Sequence, residues 1–255
     1  MDTPELTRTK LSIVGSTAVL TLASDKVNAL DPEVLTELVT FVGFCEQEPA
    51  ISALVVTGEG AVFSAGLNVN EVLAHGPSYT AGLLDALQGT LLRIFTCPIP
   101  TVVAVNGPAI AGGCLLACAF DKRLIAESAR IGVTELKVGV AFPTATVELL
   151  RHVCGHRAEQ LLFDAGLLPA DEAVRVGLVH QSLPLSDLVA AAMAAAESLA
   201  ALDASAYALA KASSRRSVLA AIDDEASRPL EARIREHWQA DGTRARLAQL
   251  LRPKD

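Results

Sequence analysis

The chain has 255 residues, a formal net charge of −8 and a hydrophobic fraction of 51%. These totals predict a packed core in one large domain, or in a domain with a terminal appendage. Acidic residues outnumber basic ones and the pI is near 5.2. The composition therefore argues against nucleic-acid binding, which needs a stripe of basic residues to neutralise the phosphates. No run approaches the roughly 18 apolar residues of a membrane helix, and the polar N-terminal segment lacks the apolar stretch of a secretory signal. We therefore expect a cytoplasmic protein with neither a nucleic-acid nor a membrane partner.

The cysteines and histidines do not have the spacing of metal ligands. The five cysteines form an odd set without a Cys-x-x-Cys pair, so we expect reduced and mostly buried thiols. His152 and His156 are four residues apart but flank Gly155, where a helix is expected to break. We predict no metal site. The cysteines are Cys45, Cys97, Cys114, Cys118 and Cys154.

The first part of the chain alternates strand and helix patterns. Two strand-like runs flank the turn at Gly15-Ser16, which predicts a hairpin, and Asp31-Pro32 supplies a helix N-cap followed by proline at the first helical position. Alternation of this kind indicates an α/β core. The predicted strands are 11–14, 18–22, 53–57, 101–105, 122–126 and 130–133, with helices over 81–95 and from Gly112.

After Pro143 the strand pattern nearly disappears and the sequence predicts helices. The change to an all-helical part is placed between Pro184 and Ala204, and the last helix is expected to run unbroken to about residue 251. An alanine-rich helical tail with scattered Arg and Glu is more typical of an assembly element than of a separate catalytic domain. The other helices are predicted over 144–154, 157–164, 170–175, 186–202 and 205–221.

Two turns of small residues directly follow strand-like runs. The first is Phe-Ser-Ala-Gly-Leu-Asn at 63–68, and the second is Asn-Gly-Pro-Ala-Ile-Ala-Gly-Gly-Cys-Leu at 106–115. Two such turns facing each other can offer two backbone N–H groups to one oxygen atom. That arrangement is an oxyanion hole, which stabilises the enolate or tetrahedral oxyanion of a thioester during reaction.

The paired glycines Gly112-Gly113 have two explanations that the sequence leaves open. Each glycine costs a helix roughly 1 kcal/mol relative to alanine. That cost is explained if a ligand oxygen lies against the N–H groups at the helix start, where the dipole favours negative charge. It is equally explained if the helix packs closely against a neighbour. The sequence also leaves two roles possible for the loop over 58–66: it is either a flexible connection or a stretch of backbone exposed to a ligand.

Glu135 is the carboxylate best placed to work beside these turns. It lies in the mostly apolar segment 131–138, and desolvation raises a carboxyl pKa toward the range suited to taking and returning a proton. The alternatives are a salt bridge to Lys137 or a surface position. Ser64 lacks the Gly-x-Ser-x-Gly pattern of a hydrolase nucleophile.

Taken together, the motifs of this chain resemble the crotonase (enoyl-CoA hydratase/isomerase) family. The resemblance extends from about residue 11 to 216. It implies an α/β fold in which a spiral of ββα repeats, residues 1–200, precedes a helical oligomerisation region, residues 201–255. It also implies homotrimers or dimers of trimers, and an acyl-CoA thioester as substrate, so that coenzyme A is part of the substrate and no separate cofactor is expected. The motifs are Lys26-Val27-Asn28-Ala29-Leu30, 63–68, 106–114, Asp121 and 135–143.

The resemblance assigns roles to individual residues. The N–H groups of Leu67 and Gly112 would hold the thioester oxygen, Glu135 would be the catalytic base, and Lys26 would pair with a phosphate of coenzyme A. The residues implied in substrate and coenzyme A binding are Lys26, Val27, Ala29, Ala65, Gly66, Leu67, Asn68, Gly112 and Leu115.

One position decides which reaction the resemblance favours. Hydratases of the family carry a glutamate where this chain has Leu115, and Glu135 matches their second glutamate. A single carboxylate is the pattern of the Δ3,Δ2-enoyl-CoA isomerases, which segments 155–159 and 166–168 also resemble. Asn68 departs from the aspartate common in the family. The alternatives are a hydratase or another CoA-thioester reaction on a non-standard acyl group, and a non-catalytic acyl-CoA-binding protein.

Overall fold

The computed structural model describes residues 3–251. The strands, numbered in chain order, are β1 (Thr9–Val14), β2 (Thr17–Leu22), β3 (Ala53–Gly58), β4 (Thr101–Val105), β5 (Ala109–Ile110), β6 (Lys122–Ala126), β7 (Arg130–Gly132), β8 (Leu168–Pro169) and β9 (Gln181–Leu183). The helices are α1 (Pro32–Gln47), α2 (Val69–Ala74), α3 (Pro77–Thr96), α4 (Gly112–Cys118), α5 (Thr144–Cys154), α6 (Ala158–Asp164), α7 (Ala170–Arg175), α8 (Leu185–Ala200), α9 (Ala204–Asp223), α10 (Arg228–Gln239) and α11 (Asp241–Leu250).

The main sheet has six strands in the order β1-β2-β3-β4-β6-β9. β1 and β2 form the predicted antiparallel hairpin, whose turn contains Gly15 with φ +60°. Every later neighbour in the sheet is parallel. β3 and β4 are almost completely buried, because helices cover both faces of a parallel sheet. The α/β alternation therefore arises as the sequence predicts.

α1 begins where the sequence places its start. The Asp31 carboxylate accepts a hydrogen bond from the backbone N–H of Val34 at 2.9 Å, and Pro32 occupies the first helical position. This cap satisfies one of the otherwise unpaired N–H groups of the first turn. The apolar face that follows packs on the main sheet. Its buried residues are Val34, Leu35, Leu38, Phe41, Val42 and Cys45.

A second, three-stranded sheet has the order β5-β7-β8 and lies next to the two small-residue turns. β5 pairs with β7 in parallel, and an isolated parallel bridge joins Ser64 to Ala109. The short β5 therefore fixes the second turn against the first. Neither this strand nor β8 has a sequence pattern long enough to predict it.

The region after Pro143 departs from the prediction in two places. It is not purely helical before Pro184, because β8 pairs with β7 and β9 pairs with the edge of β6. The expected unbroken last helix is also wrong, since Ala240 has an extended backbone (φ −65°, ψ 139°) between α10 and α11. Asp241 and Gly242 follow directly, and both residue types disfavour a helix interior.

The C-terminal part is helical from α8 onward, as the sequence predicts. The predicted regions 1–200 and 201–255 extend beyond the described residues at their outer ends, and their separation as domains stays a prediction. All five cysteines are free and buried, as expected. Within residues 3–251 no single helix is long and apolar enough to cross a membrane, although the sharply bent pair α8 and α9 meets that criterion when counted together.

Candidate active site

Backbone hydrogen bonds bring the predicted motifs together. Ile110 donates its N–H to the Ser64 carbonyl at 2.9 Å, which ties the second turn to the first. The segment around residues 26–30 joins from the other side, because Leu30 donates to the Gly66 carbonyl at 2.8 Å and accepts from the Asn68 N–H at 3.0 Å. Three stretches that are distant in the sequence therefore meet at one place.

This bonding leaves two backbone N–H groups without acceptors. The parallel bridge between Leu30 and Leu67 uses the carbonyl of Gly66 and the N–H of Asn68, so the Leu67 N–H points to the other side of the strand. Gly112 is the first residue of α4, and its N–H precedes the helical bonding pattern. Neither group donates to an acceptor within residues 3–251. The two are neighbours, since a Cβ atom on Gly112 would lie 3.5 Å from the Leu67 nitrogen.

The two explanations for the paired glycines apply to different residues. A Cβ atom on Gly113 would overlap the Ser64 carbonyl oxygen, so Gly113 is required for close packing. Gly112 instead lines the cavity described below, and its N–H has no acceptor within residues 3–251. Ala111, which precedes it, has φ 52° and ψ −118°, a conformation that is strained for any residue except glycine and costs about 1–3 kcal/mol. This strained residue sets the direction of the Gly112 N–H.

Glu135 is buried, with 8% of its surface exposed, at the start of a short 3₁₀ turn over Glu135–Val138. Burial raises its pKa to about 7, although the backbone N–H groups of Glu135 and Thr134 offset part of the shift. Its Oε2 atom is buried without a hydrogen-bond partner within residues 3–251. The salt bridge to Lys137 and the surface position are therefore both excluded. A carboxyl group is suited to take up and return a proton when its pKa is near neutrality and one of its oxygens has no hydrogen-bond partner.

A mostly apolar cavity of about 250 Å³ connects these groups. Ala65, Leu67, Gly112, Leu115 and Glu135 all line it, and Glu135 is the only acidic residue on its wall among the described residues. The α2 and α3 region and the C-terminal helices form the far wall. Their contributions are Val72, Leu84, Leu87, Trp238 and Leu247.

The sequence patterns gave no signal for the particular residues that the C-terminal helices bring to the cavity. Trp238 on α10 donates its indole N–H to the Ala141 carbonyl at 2.7 Å. Arg244 on α11 donates to the carbonyls of Val72 at 2.9 Å and Leu73 at 2.8 Å, near the end of α2. These bonds hold α10 and α11 over the cavity. The break at Ala240 makes them two separate helices, each held by its own bonds. A lone tryptophan and a helical arginine have no recognisable motif, so only the fold reveals their roles.

The remaining predicted binding residues lie beside the cavity rather than on its wall. Lys26 and Val27 are exposed, and the Val27 carbonyl accepts from the Ala65 N–H at 2.9 Å. Ala29 is buried next to them, and Gly66 lies within the first turn with φ +86°. Asn68 caps α2 through its side chain, which accepts from the Glu71 N–H at 3.4 Å. The assignment of these residues to coenzyme A binding stays a prediction.

Asp121, which belongs to the recognised motifs, has a structural setting away from the cavity. Its carboxylate accepts from Lys211 at 2.6 Å and from the Tyr207 hydroxyl at 2.8 Å, and it pairs with Arg215. Burial alone would raise the pKa of Asp121, but Lys211 and Arg215 outweigh that effect and lower it. This ion cluster attaches α9 to the main sheet.

Comparisons with known proteins show which proteins this chain is similar to. A family model described as enoyl-CoA hydratase/isomerase matches residues 13–244. The human mitochondrial enoyl-CoA delta isomerase 1 is 34% identical over 203 residues, which are 78% of this chain and 67% of that protein. A putative enoyl-CoA hydratase of Thermus thermophilus is 37% identical over 190 residues, which are 73% of this chain and 75% of that protein.

A solved structure extends the similarity to the whole fold. The crystal structure of human mitochondrial delta3-delta2-enoyl-CoA isomerase superimposes with a TM-score of 0.90 at 30% identity, and the match covers 96% of this chain and 97% of that one. The predicted α/β spiral with a helical C-terminal region is thereby confirmed.

Proposed function

Because the chain belongs to the enoyl-CoA hydratase/isomerase family, we propose that it is a Δ3,Δ2-enoyl-CoA isomerase. One observation carries the proposal: among the described residues, Glu135 is the only acidic residue on the wall of the cavity. Moving a double bond from the 3,4 to the 2,3 position needs one group that takes a proton from C2 and returns one to C4. A single carboxyl with a pKa of about 7 meets that need.

The thioester oxygen is held between the N–H groups of Leu67 and Gly112. Both donors are fixed by the surrounding backbone, so they need no reorganisation when negative charge develops on that oxygen. Each donor contributes about 3 kcal/mol of transition-state stabilisation, by analogy with other oxyanion holes. The strain at Ala111 is then explained as the cost of directing the second donor.

Ionised Glu135 removes a C2 proton from the 3-enoyl thioester. The electron pair of the C2–H bond moves toward the carbonyl and gives a dienolate, whose oxygen carries the negative charge. Protonated Glu135 then returns the proton to C4, the double bond forms between C2 and C3, and the carboxylate is regenerated. The chemistry requires no cofactor, since coenzyme A enters and leaves as part of the substrate.

The family's hydratase activity is the second candidate, because the Thermus thermophilus relative is named as a putative hydratase. Leu115 argues against hydration in this chain. It is 2% exposed and lines the same cavity as Glu135, so an apolar side chain occupies the position of the hydratases' other glutamate. An apolar wall also excludes water from the dienolate.

Coenzyme A binds across the segment 26–29 and Ala65 in this proposal. Lys26 is exposed at the edge of that segment, where its ammonium group meets a phosphate of the coenzyme. Substituting Lys26→Met is expected to raise the KM for acyl-CoA without a comparable change in kcat. An unchanged KM would remove Lys26 from the assignment.

A homotrimer, or a dimer of trimers, is the proposed assembly. Large exposed apolar side chains on α8 and α9 support it, since an assembly would cover them. Light scattering coupled to size exclusion is expected to give three or six times the monomer mass, and a monomer would contradict the proposal. The side chains are Leu185, Val189 and Leu209, with Leu202 in the connection between the helices.

The reaction is tested by giving the purified protein two substrates in parallel. With 3-hexenoyl-CoA, absorbance of the conjugated enoyl thioester is expected to rise, and with 2-hexenoyl-CoA no 3-hydroxyacyl-CoA is expected. Hydration of the second substrate would support the hydratase alternative. Tight acyl-CoA binding without turnover of either substrate would support the non-catalytic alternative.

A further inference from the structure

A second cavity, of about 260 Å³, lies between β6, α5 and α9 and shares no lining residue with the catalytic cavity. Its wall is polar, and its charged residues are Arg123, Arg215 and the carboxylate of Asp121. Arg123 from β6 and Arg215 from α9 form its buried part, and His152 and His180 lie at its exposed edge. The seven residues of α4 separate it from Gly112 by about 10 Å.

Arg215 lines this cavity and has an unused donor. The residue is 5% exposed, and its Nη1 atom is buried without a hydrogen-bond partner within residues 3–251. Its other terminal nitrogen pairs with Asp121, and its guanidinium lies 4.2 Å from the centre of the Phe95 ring. A buried guanidinium with one nitrogen unsatisfied is costly unless an acceptor occupies the space in front of it.

Arg123 adds a second buried positive charge with no carboxylate in ion-pair distance among the described residues. It is 7% exposed and donates to the carbonyls of Leu178 at 2.8 Å and Phe120 at 2.9 Å. Its Nη2 atom makes only long contacts, 3.5 Å to the Gly177 carbonyl and 3.4 Å to His180 Nε2. That nitrogen therefore also has donor capacity left.

The local charges do not balance. Arg123, Lys211 and Arg215 are all buried, and within residues 3–251 Asp121 is the one carboxylate that pairs with any of them. The imbalance reaches the edge of the cavity, where burial together with the charges of Arg123 and Lys122 lowers the pKa of His180 to about 4. The four residues together carry a net charge of +2, and a buried cluster with that excess is unfavourable unless an anion is bound nearby.

We propose that this cavity is a binding site for a small oxyanion of the phosphate class. The guanidinium groups of Arg123 and Arg215 hold its oxygens, since such groups match tetrahedral oxyanions in both charge and hydrogen-bond geometry. A dianion neutralises the excess charge of the cluster. The volume accommodates either inorganic phosphate with ordered water or the phosphoryl group of a small phosphomonoester.

The experiment is thermal unfolding of the full chain at increasing inorganic phosphate, with ionic strength held constant by sodium chloride. The proposal predicts a saturable rise of Tm, by about 5 °C or more at a hundredfold excess over Kd. Glycerol 3-phosphate is titrated in parallel, and a tighter response to it would identify a phosphomonoester as the ligand. A Tm that follows ionic strength alone would overturn the proposal.

Variants locate the effect. Arg215→Met is expected to abolish the phosphate response, whereas Arg175→Gln, which changes an exposed cation of α7, leaves it intact. His180→Glu places a carboxylate at the cavity edge on an exposed position, and it is expected to remove the phosphate response by supplying an internal anion. A response that survives both Arg215→Met and His180→Glu would overturn the assignment to this cavity.

Two further readouts need only the unaltered protein. Bound phosphate is expected to raise the pKa of His180, measured by NMR titration, because it offsets the nearby arginines. The KM for 3-hexenoyl-CoA is expected to stay constant, because the two cavities are separate. An unchanged His180 pKa with a raised KM would place the phosphate in the coenzyme A site and contradict the proposal.

Discussion

Gly113 packs against the carbonyl group of Ser64 so closely that a Cβ atom at position 113 would overlap the carbonyl oxygen. This contact brings the start of α4 against the first small-residue turn. It thereby sets the spacing between the Leu67 and Gly112 N–H groups. The geometry of the candidate oxyanion hole depends on a packing contact one residue away from the donor itself.

Alanine substitutions distinguish the packing role of Gly113 from the role of Gly112, whose backbone N–H group is a candidate donor to the substrate. Gly113→Ala is expected to destabilise the fold by about 3 kcal/mol, because backbone must move to admit the methyl group. Gly112→Ala costs about 1 kcal/mol or less, since its Cβ atom would lie 3.3 Å from Gly66 Cα in a tight but adjustable contact. Chemical denaturation measures both values.

Gly82→Ala is the matched control for this pair. Gly82 is an exposed residue of α3 with open space around its Cα hydrogens, so alanine there is expected to stabilise by about 1 kcal/mol. Equal stability losses at positions 112 and 113 would contradict the packing role of Gly113.

The reaction rate is expected to increase with pH across the pKa of Glu135. Burial raises that pKa to about 7, and only the ionised carboxylate accepts the C2 proton. The kcat/KM for 3-hexenoyl-CoA should therefore rise close to tenfold per unit well below about pH 7, and level off above it. A profile that is flat from about pH 5.5 to 8.5 would show that Glu135 is not the titrating base.

The stability of the fold should change in the opposite direction. The folded-state pKa of Glu135 is raised above its ordinary value of 4.5, so the native state binds this proton more tightly than the unfolded state. The stability that this proton provides is complete below about pH 4.5 and is lost as pH rises through about 7, a loss of about 3 kcal/mol.

Glu135→Gln removes this dependence because glutamine stays neutral. The variant is expected to exceed the unaltered protein in free energy of unfolding at pH 8, and to approach it at pH 5. Denaturant unfolding of both proteins at the two pH values gives the difference. A constant difference between them would mean that the buried carboxyl does not titrate in this range.

Trp238 is expected to limit the length of the acyl chain. Its side chain lines the catalytic cavity and holds α10 to the Ala141 carbonyl. Trp238→Ala should destabilise the protein by about 3 kcal/mol through the cavity it leaves, and should raise kcat/KM for 3-decenoyl-CoA relative to 3-hexenoyl-CoA. Trp238→Phe keeps most of the volume and is expected to preserve the ratio. The same ratio in all three proteins would place the acyl chain elsewhere.

The sequence predicted the elements that are local in origin. The hairpin at Gly15, the capped start of α1 and the strands of the main sheet follow from turn residues, a side-chain cap and apolar runs. The segments at 63–68 and 106–115 were also recognisable, since each combines small residues with a preceding strand. These segments predict that Leu67 and Gly112 lie close together beside Glu135, and the structure brings all three residues to one cavity.

The features that the sequence did not predict depend on contacts between distant residues. β9 has three residues and exists because β6 offers it a free edge. The position of α11 over the catalytic cavity depends on the hydrogen bonds that Arg244 donates to carbonyls near the end of α2. The charge imbalance around Arg123 and Arg215 arises from residues 92 positions apart in the sequence. No local pattern encodes such pairings.

The central claim is that Glu135 alone moves the proton, and one paired measurement tests it most directly. Conjugation of 3-hexenoyl-CoA is compared between the unaltered protein and Glu135→Gln, and binding of the saturated hexanoyl-CoA is measured on the same samples. Fluorescence of Trp238, the only tryptophan of the chain, reports that binding from the cavity wall. We expect the variant to lose activity by about 10²–10⁴-fold while its affinity for hexanoyl-CoA stays within about twofold, since glutamine keeps the shape of the site. Activity retained in a variant that binds normally would show that another group carries the proton, and would contradict the account.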